Sequence, residues 1–471
     1  MTKYKARLCV RGFNQREGLD SDDAFPPTGW LASLRLLLKL AHQHGFQIDQ
    51  MDVQCAFLNE IPNKTLKKSP QFWHNALNNA LLQIGLVPTK TDPCLYYLSD
   101  HSKPVWLFAH IDGLIFSGCW NEDFKAKIKT FLDMGDLGSV KYAPGIRITQ
   151  SAEGISMIQD RLIQQILSEF NLENSQPLTS PLPSNINDLK SCHLEPCQHP
   201  PFHYQRAIGL LQYLVQGTCP NLAFSTHFMS QFLESPSKIY FQAIEYILKY
   251  LLGRKELTLK LGQNNLQHDL NTIIAFSNAN LGGSKECKSF SGSLIYYQGA
   301  IGWHSHKQKV VSLSSAKVED NALPECSQDL LWLKKLIYKI STINFSGTLF
   351  SDDQSAMAIS SNQIYHCGTR HINFRLHFIR NLIEKSEIWL KYLPTTDMVK
   401  DSLTKNFPIQ KIKITSRQCL ETKKSSLGMA VYWEKTLLGL CTNCHDEPQQ
   451  TFQAQLLKIT RLHFLHHLST S

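Results

Sequence analysis

A chain of 471 residues is longer than one ordinary hydrophobic core requires and fits roughly three domains. Its 42% hydrophobic and 18% charged residues exclude a disordered polymer, while a formal net charge of +9 leans weakly towards a polyanionic partner such as nucleic acid. The 13 cysteines, odd in number and scattered, exclude a disulfide framework. Met1 to Arg7 lacks an apolar leader core, and no run of about 18 uncharged apolar residues occurs. The expected setting is therefore cytoplasmic or nuclear, neither secreted nor membrane-spanning.

In chain order, Lys5 to Phe13 is basic and strand-prone, and a turn-rich stretch runs from Gly18 to Gly29. A helix follows, with Leu34, Leu37, Leu38 and Ala41 on one face. Ile48 to Val53 reads as a short strand and residues 70–86 as a second helix. Residues 104–118 form the clearest hairpin: Val105, Leu107, Ala109 and Ile111 alternate with Trp106, Phe108 and His110, and Leu114-Ile115-Phe116 returns. Asp112-Gly113 is expected to supply the turn, with positive φ at both central positions.

Asp160 to about Leu172 reads as an amphipathic helix packed through Leu162, Ile163, Ile166, Leu167 and Phe170. Residues 173–203, rich in Pro, Ser and Asn, read as a linker. Two helical segments follow, at roughly 204–217 and 237–253. From about residue 271 the order strand, hairpin, helix, strand, helix, strand describes an α/β unit ending near Lys405. The residues beyond it show no period.

Templated phosphoryl transfer and RNA hydrolysis share one requirement. Two divalent cations about 3.5–4 Å apart must be held by several carboxylate oxygens on rigid elements. Asp52 at a strand end and Asp112 at a hairpin tip satisfy that in position. As isolated residues they read equally well as a surface acid and a turn former.

Longer blocks carry more. Gln50-Met51-Asp52-Val53-Gln54-Cys55-Ala56-Phe57-Leu58-Asn59 resembles the first catalytic block of copia-type reverse transcriptases, Q-M-D-V-K-T-A-F-L-N. Lys5-Ala6-Arg7-Leu8 and Arg11-Gly12-Phe13-Asn14-Gln15 resemble that family's finger segment, and Thr91-Asp92-Pro93-Cys94-Leu95-Tyr96 the block before its catalytic hairpin. Met134 to Gly138 continues the likeness. In the second half, Arg206 to Leu214 resembles R-A-[IV]-G-x-L-x-Y-L, and His306-Lys307-Gln308 opens a block resembling K-K-Q-x-x-V-[AS]-L-S-S. Asp352-Asp353-Gln354-Ser355-Ala356, Arg370 to Arg380 and Asp401-Ser402-Leu403-Thr404-Lys405 resemble its later RNase H blocks. The blocks stand in the family's order and cover about residues 3–405.

This resemblance to a copia-type LTR retrotransposon polyprotein implies an α+β fold: a truncated right-hand polymerase of palm, fingers and thumb, a helical connection and an α/β RNase H-like domain. The implied divisions are 1–183 for the reverse transcriptase, with an internal deletion near 61–70, and 184–265 for the linker and connection. RNase H-like residues 266–405 and a tail of unassigned role, 406–471, complete them. The chain is expected to begin within the fingers, without protease or integrase portions. Asp52 and Asp112 would be the polymerase ligands for Mg²⁺, and Glu319, Asp352 and Asp401 those of the RNase H. Lys5 and Arg7 would meet the incoming dNTP or the template backbone, although a solvated strand face explains them equally. The implied partners are an RNA template, RNA/DNA hybrid, dNTP and other element-encoded proteins.

Departures from the pattern point to impaired catalysis. Gly113 stands where the family's hairpin has its second aspartate, and Asn278 where the first RNase H block has an acid. Both lose charge beside a cation site. Lys317 occupies an acidic position. Pro324 is expected to kink or break the helix carrying Glu319, and Pro144 to interrupt an extended segment. After Glu60 the glycine-containing part of a block ending in Trp73 is missing. Cys441-Thr442-Asn443-Cys444-His445, formally a haem-attachment pattern, and His463, His466 and His467 read as incidental. The alternatives are a non-catalytic nucleic-acid-binding remnant of the element and a decayed frame without a stable fold.

Overall fold

The structure, a computed structural model, describes residues 27–53, 69–98, 103–119, 121–183, 195–262, 271–282, 288–312, 314–352 and 373–394, with isolated positions at 100, 354, 403–404 and 420–421. All of these lie in one compact unit, Met1–Thr422. Lys5, Arg7, Asp401 and the Cys441–His445 pattern fall outside the described residues, as does the tail.

The first half is built on a six-stranded sheet in the order β2-β3-β4-β5-β1-β6. Its strands are β1 (Ile48–Val53), β2 (Leu86–Pro88), β3 (Leu95–Leu98), β4 (Val105–His110), β5 (Gly113–Gly118) and β6 (Met134–Ser139). Neighbouring strands all run antiparallel. The predicted alternation in β4 is present, but both faces are buried. Trp106 and Phe108 join one core with helix α1 (Leu31–Gln43), while Val105, Leu107 and Ala109 join a second core with α2 (Ser69–Ile84) and α3 (Asn121–Ile128). A strand covered on both sides needs apolar residues at every position.

The predicted single apolar face of α1 understates it. Every residue from Ser33 to Ala41 is buried, Arg35 and Lys39 included. Such a helix must be surrounded, and α1 touches β4 and β5, a smaller sheet through β8 (Gly154–Ile158) and β9 (Thr258–Leu261), and the later strand β12 (Ala300–Lys307). Arg35 Nε donates to the Ile301 carbonyl at 2.8 Å and its guanidinium lies 4.0 Å from the centre of the Trp303 ring. Lys39 Nζ sits 3.4 Å from the centre of the Tyr297 ring and donates to Gln43 Oε1.

The smaller sheet pairs β7 (Arg147–Ser151) with β8 and β9. Pro144 does not interrupt an extended segment. With Gly145 at φ +70° it forms the turn that closes Ala143 N onto the Ile146 carbonyl at 2.9 Å, the proline-then-glycine arrangement of a type II turn. Helix α4 (Asp160–Glu169) ends near its predicted place, and α5 (Tyr204–Gly217) and α7 (Lys238–Leu252) match the two predicted helical segments. A further helix between them, α6 (Ala223–Ser230), gave no clear sequence period.

The second half is a five-stranded sheet in the order β12-β11-β10-β13-β14. Strand β10 (Thr272–Asn280) is central; β11 (Phe290–Tyr296) and β12 continue it antiparallel, while β13 (Ser346–Ser351) and β14 (Trp389–Tyr392) run parallel on its other side. Helix α8 (Ser315–Ser341) covers this sheet and packs against α9 (Asn373–Glu384). Pro324 lies inside α8 without ending it: the helix runs 27 residues unbroken. Burial of Leu323, Cys326, Leu330, Leu333 and Ile337 along one side outweighs the roughly 3 kcal/mol that an interior proline costs. None of the described helices is long and apolar enough to cross a membrane.

Candidate functional site

Asp52 and Asp112 are brought together by strand register. Asp52 on β1 pairs directly with Gly113 on β5, and Val53 N donates to the Asp112 carbonyl at 3.0 Å. Both aspartates are exposed. Directly opposed residues of an antiparallel pair project to the same face, so a side chain at 113 would stand beside that of Asp52. The turn itself is shifted one residue from the prediction. His110 pairs with Gly113, leaving Ile111-Asp112 as the loop, and positive φ falls on Ile111 (54°), not on Asp112 or Gly113.

A β-branched residue in that conformation is costly and must be held. Trp73 on α2 holds it, because its buried indole donates to the Ile111 carbonyl at 2.7 Å. Replacing Trp73 with phenylalanine keeps most of the packing and removes this bond. The expected result is a loss of about 1 kcal/mol with faster amide exchange at Asp112 and Gly113 than elsewhere in β5, measured by hydrogen exchange. Burial pushes the neighbouring His110 imidazole down against the opposing pull of Asp112, favouring its neutral form.

The other face of β1 shows what a structural aspartate looks like. Asp49 is 1% exposed and lies 3.0 Å from Lys125 Nζ on α3, which also reaches Glu122 at 2.8 Å and Asp136 at 3.4 Å. Desolvation lowers the Lys125 pKa, but hydrogen bonds to Glu122 and Asp49 and the charges of Asp49 and Asp136 hold it above the usual lysine range. Asp92, in the block before the hairpin, is also structural. It is fully buried, and its carboxylate accepts from Trp30 N at 3.1 Å and Cys94 N at 3.0 Å, which fixes the start of α1 against β3.

The second candidate site lies at the end of β10. Asn278 is 1% exposed, and Ala279 N donates to Glu319 Oε1 at 2.6 Å, which places the α8 carboxylate against the strand at that point. The parallel pairing of this strand with β13 ends at Phe276 and Phe350, and Asp352 follows directly after β13. Gly292 pairs with Asn278 from the other side. A Cβ there would lie 2.8 Å from Leu403 Cβ, so the glycine admits the Leu403-Thr404 segment, and Asn280 Nδ2 donates to the Thr404 carbonyl at 3.3 Å. Lys317 is exposed, with its backbone N–H capped by Ser314 Oγ at 3.3 Å.

A positioning residue passed unnoticed in the sequence. Gln308 is buried and donates to Ser291 Oγ and the Val318 carbonyl, both at 2.9 Å, while accepting from Asn321 at 3.1 Å. It ties the sheet to the turn of α8 that carries Glu319. Its only sequence signal was its place in the block after His306.

The first unit is an antiparallel sheet with two aspartates at its hairpin, and the second a mixed sheet ordered about a central strand with acidic residues near its end. Residues 1–66 and 62–184 match the family described as reverse transcriptase (RNA-dependent DNA polymerase). The chain is 28% identical over 454 residues to the retrovirus-related Pol polyprotein from transposon TNT 1-94 of Nicotiana tabacum, covering 88% of this chain and 34% of that one. It is 28% identical over 442 residues to the Pol polyprotein from transposon RE1 of Arabidopsis thaliana, covering 86% and 29%. It thus spans about a third of the length of these curated relatives. A solved structure of the foamy viral protease-reverse transcriptase with RNA/DNA hybrid aligns over 79% of this chain and 46% of its own, at 13% identity and a TM-score of 0.41. Over its first 184 residues the chain matches the reverse transcriptase family, and over most of its length it is similar to copia-type retrotransposon Pol polyproteins.

Proposed function

We propose that this chain is the reverse transcriptase and RNase H segment of such a polyprotein, and that each of its two sites is short of one carboxylate. The observation that carries this reading is the direct pairing of Asp52 with Gly113, where an acidic side chain would complete a cluster with Asp112. Asn278 beside Glu319 and Asp352 repeats the deficit in the second unit.

The donors fit Mg²⁺ in kind, being hard carboxylate oxygens, but fall short in charge. Asp52 and Asp112 would hold it in the polymerase site; Glu319, Asp352 and Asp401 in the RNase H site. Bound there, the cations would supply charge neutralisation for phosphoryl transfer. Asp52, Asp112 and the tryptophan-braced turn position the ligand oxygens. Asn278 offers a carbonyl oxygen without charge. Lys5 and Arg7 would contact dNTP or template phosphates, and the substrates would be primed RNA or DNA template and RNA/DNA hybrid. The break in the family match near residues 62–66 supports a deletion at 61–70. The divisions 1–183, 184–265 and 266–405 remain the domain assignment we favour.

Both activities are expected to be reduced or absent. Primer extension and hybrid cleavage by the purified chain test this, and robust Mg²⁺-dependent turnover in either assay overturns it for that site. Gly113→Asp sharpens the test. Gly113 has no left-handed φ, and a Cβ there meets nothing nearer than the His110 carbonyl at 3.7 Å. Its stability should stay within about 0.5 kcal/mol of the parent. Extension should rise by at least the roughly tenfold that even an outer-shell ligand is worth. No gain from either Gly113→Asp or Asn278→Asp would place the main defect at residues 61–70.

A further inference from the structure

A second cluster of ligating side chains lies on the RNase H-like unit, away from its carboxylates. His304 and His306 alternate on β12, so they share a face of this edge strand. Glu325, on α8, faces them. One ligand atom from each of the three lies within 4.8 Å of the others, the only such His, Cys or carboxylate trio among the described residues. His306 Nε2 and Glu325 Oε2 are 3.0 Å apart, yet Oε2 is buried and accepts no aligned hydrogen bond. Two ligands on a tetrahedral zinc at about 2.0–2.1 Å are themselves roughly 3.3 Å apart. The His306–Glu325 separation is therefore close to what a shared ion requires.

His304 is oriented as a ligand needs to be. Its Nδ1 lies 2.8 Å from Ser293 Oγ and 3.1 Å from Asp329 Oδ2, one helical turn beyond Glu325, which leaves Nε2 for coordination. A carboxylate behind the imidazole is the usual outer-shell partner that fixes the tautomer and raises ligand basicity. The rings of His304 and His306 are 5.0 Å apart. Beside His304 and Asp329 lies a cavity of about 150 Å³, walled by Trp30, Trp303 and Trp332.

We propose that His304, His306 and Glu325 form a binding site for a zinc-class transition-metal ion, with Asp329 orienting His304 and one coordination position open to water. Two imidazoles select zinc, cobalt or nickel over magnesium, which keeps to oxygen ligands. The ion would staple edge strand β12 to α8, the helix that carries Glu319. This proposal does not depend on whether either carboxylate site turns over.

The test uses the full chain, stripped with chelator and kept in excess Mg²⁺ so that carboxylate sites are occupied. Zn²⁺ alone is titrated calorimetrically, and Co²⁺ is followed by its visible ligand-field absorption. The expected result is one equivalent bound by the parent with a raised unfolding midpoint. That equivalent should be lost in the His304→Ala/His306→Ala variant and weakened roughly 10-fold or more in Glu325→Gln, which keeps size and fold. Absence of uptake by the parent, or full retention of the equivalent by the double variant, overturns the proposal; retention would assign the metal to the thiols instead. Should the double variant not fold, unchanged affinity in Glu325→Gln has the same force.

Discussion

Asn278→Asp is expected to lower the unfolding midpoint by several degrees in metal-free buffer at pH 7, with Mg²⁺ restoring it. Asn278 is 1% exposed, and Glu319, 6% exposed, has its carboxylate on the adjacent peptide N–H. Asp320 is buried on the same helix turn as Glu319, and Asp352 follows directly after the neighbouring strand β13. An added buried charge beside the Glu319 carboxylate costs on the order of a few kcal/mol. A carboxyl in that position holds its proton more tightly folded than unfolded. Its destabilisation is therefore absent below the unfolded pKa of about 4 and develops as pH rises above it. Thermal melts at pH 4 and 7, with and without Mg²⁺, read this directly. A midpoint indifferent to both would show that residue 278 does not share a cation site with Glu319.

Lys39→Met is expected to stabilise the protein, and more so at lower pH. Lys39 has no exposed surface, and burial pushes its pKa down to about 6. Between pH 6 and 10.5 the unfolded chain binds a proton that the folded chain does not. Stability therefore rises with pH across that window, by at most about 1.4 kcal/mol per unit, and the full penalty applies below pH 6. The Tyr297 ring and Gln43 Oε1 favour the charged form and offset part of this. Methionine fills the same channel without charge, and the net gain should be about 1–3 kcal/mol near pH 6. Chemical denaturation at pH 6 and 9 checks it: the gain must shrink at pH 9. A loss of stability at both values would mean that the ring and amide contacts outweigh desolvation.

Much of this architecture was legible in the chain because it rests on local periodicity. Strand β1, the β4–β5 hairpin and the strand-hairpin-helix order after residue 271 are all patterns that a few neighbouring residues enforce. The misreadings share another cause. Asp112-Gly113 has the better turn chemistry, but the pairing of Asp52 with Gly113 and the Trp73 bond to the Ile111 carbonyl move the turn back one residue. Pro324 breaks a helix in isolation and not one whose apolar side is anchored along a sheet. Arg35 and Lys39 recur at spacing that normally marks a solvated face, and only distant segments supply their carbonyl and aromatic partners. The same holds for His304 and His306: their alternation is visible, but the glutamate facing them comes from the next helix.

Helix α1 also governs how such a gene can erode. Ile301 and Trp303 on β12 and Tyr297 in the turn before it, which receive the Arg35 and Lys39 side chains, are encoded more than 250 residues downstream. A premature stop anywhere before them would leave Arg35 and Lys39 facing an unbuilt wall inside the first half of the chain. The two halves therefore stand or fall as one heritable unit. Point changes at exposed positions can accumulate in an intact frame, whereas truncation of the second half would destabilise the first half as well.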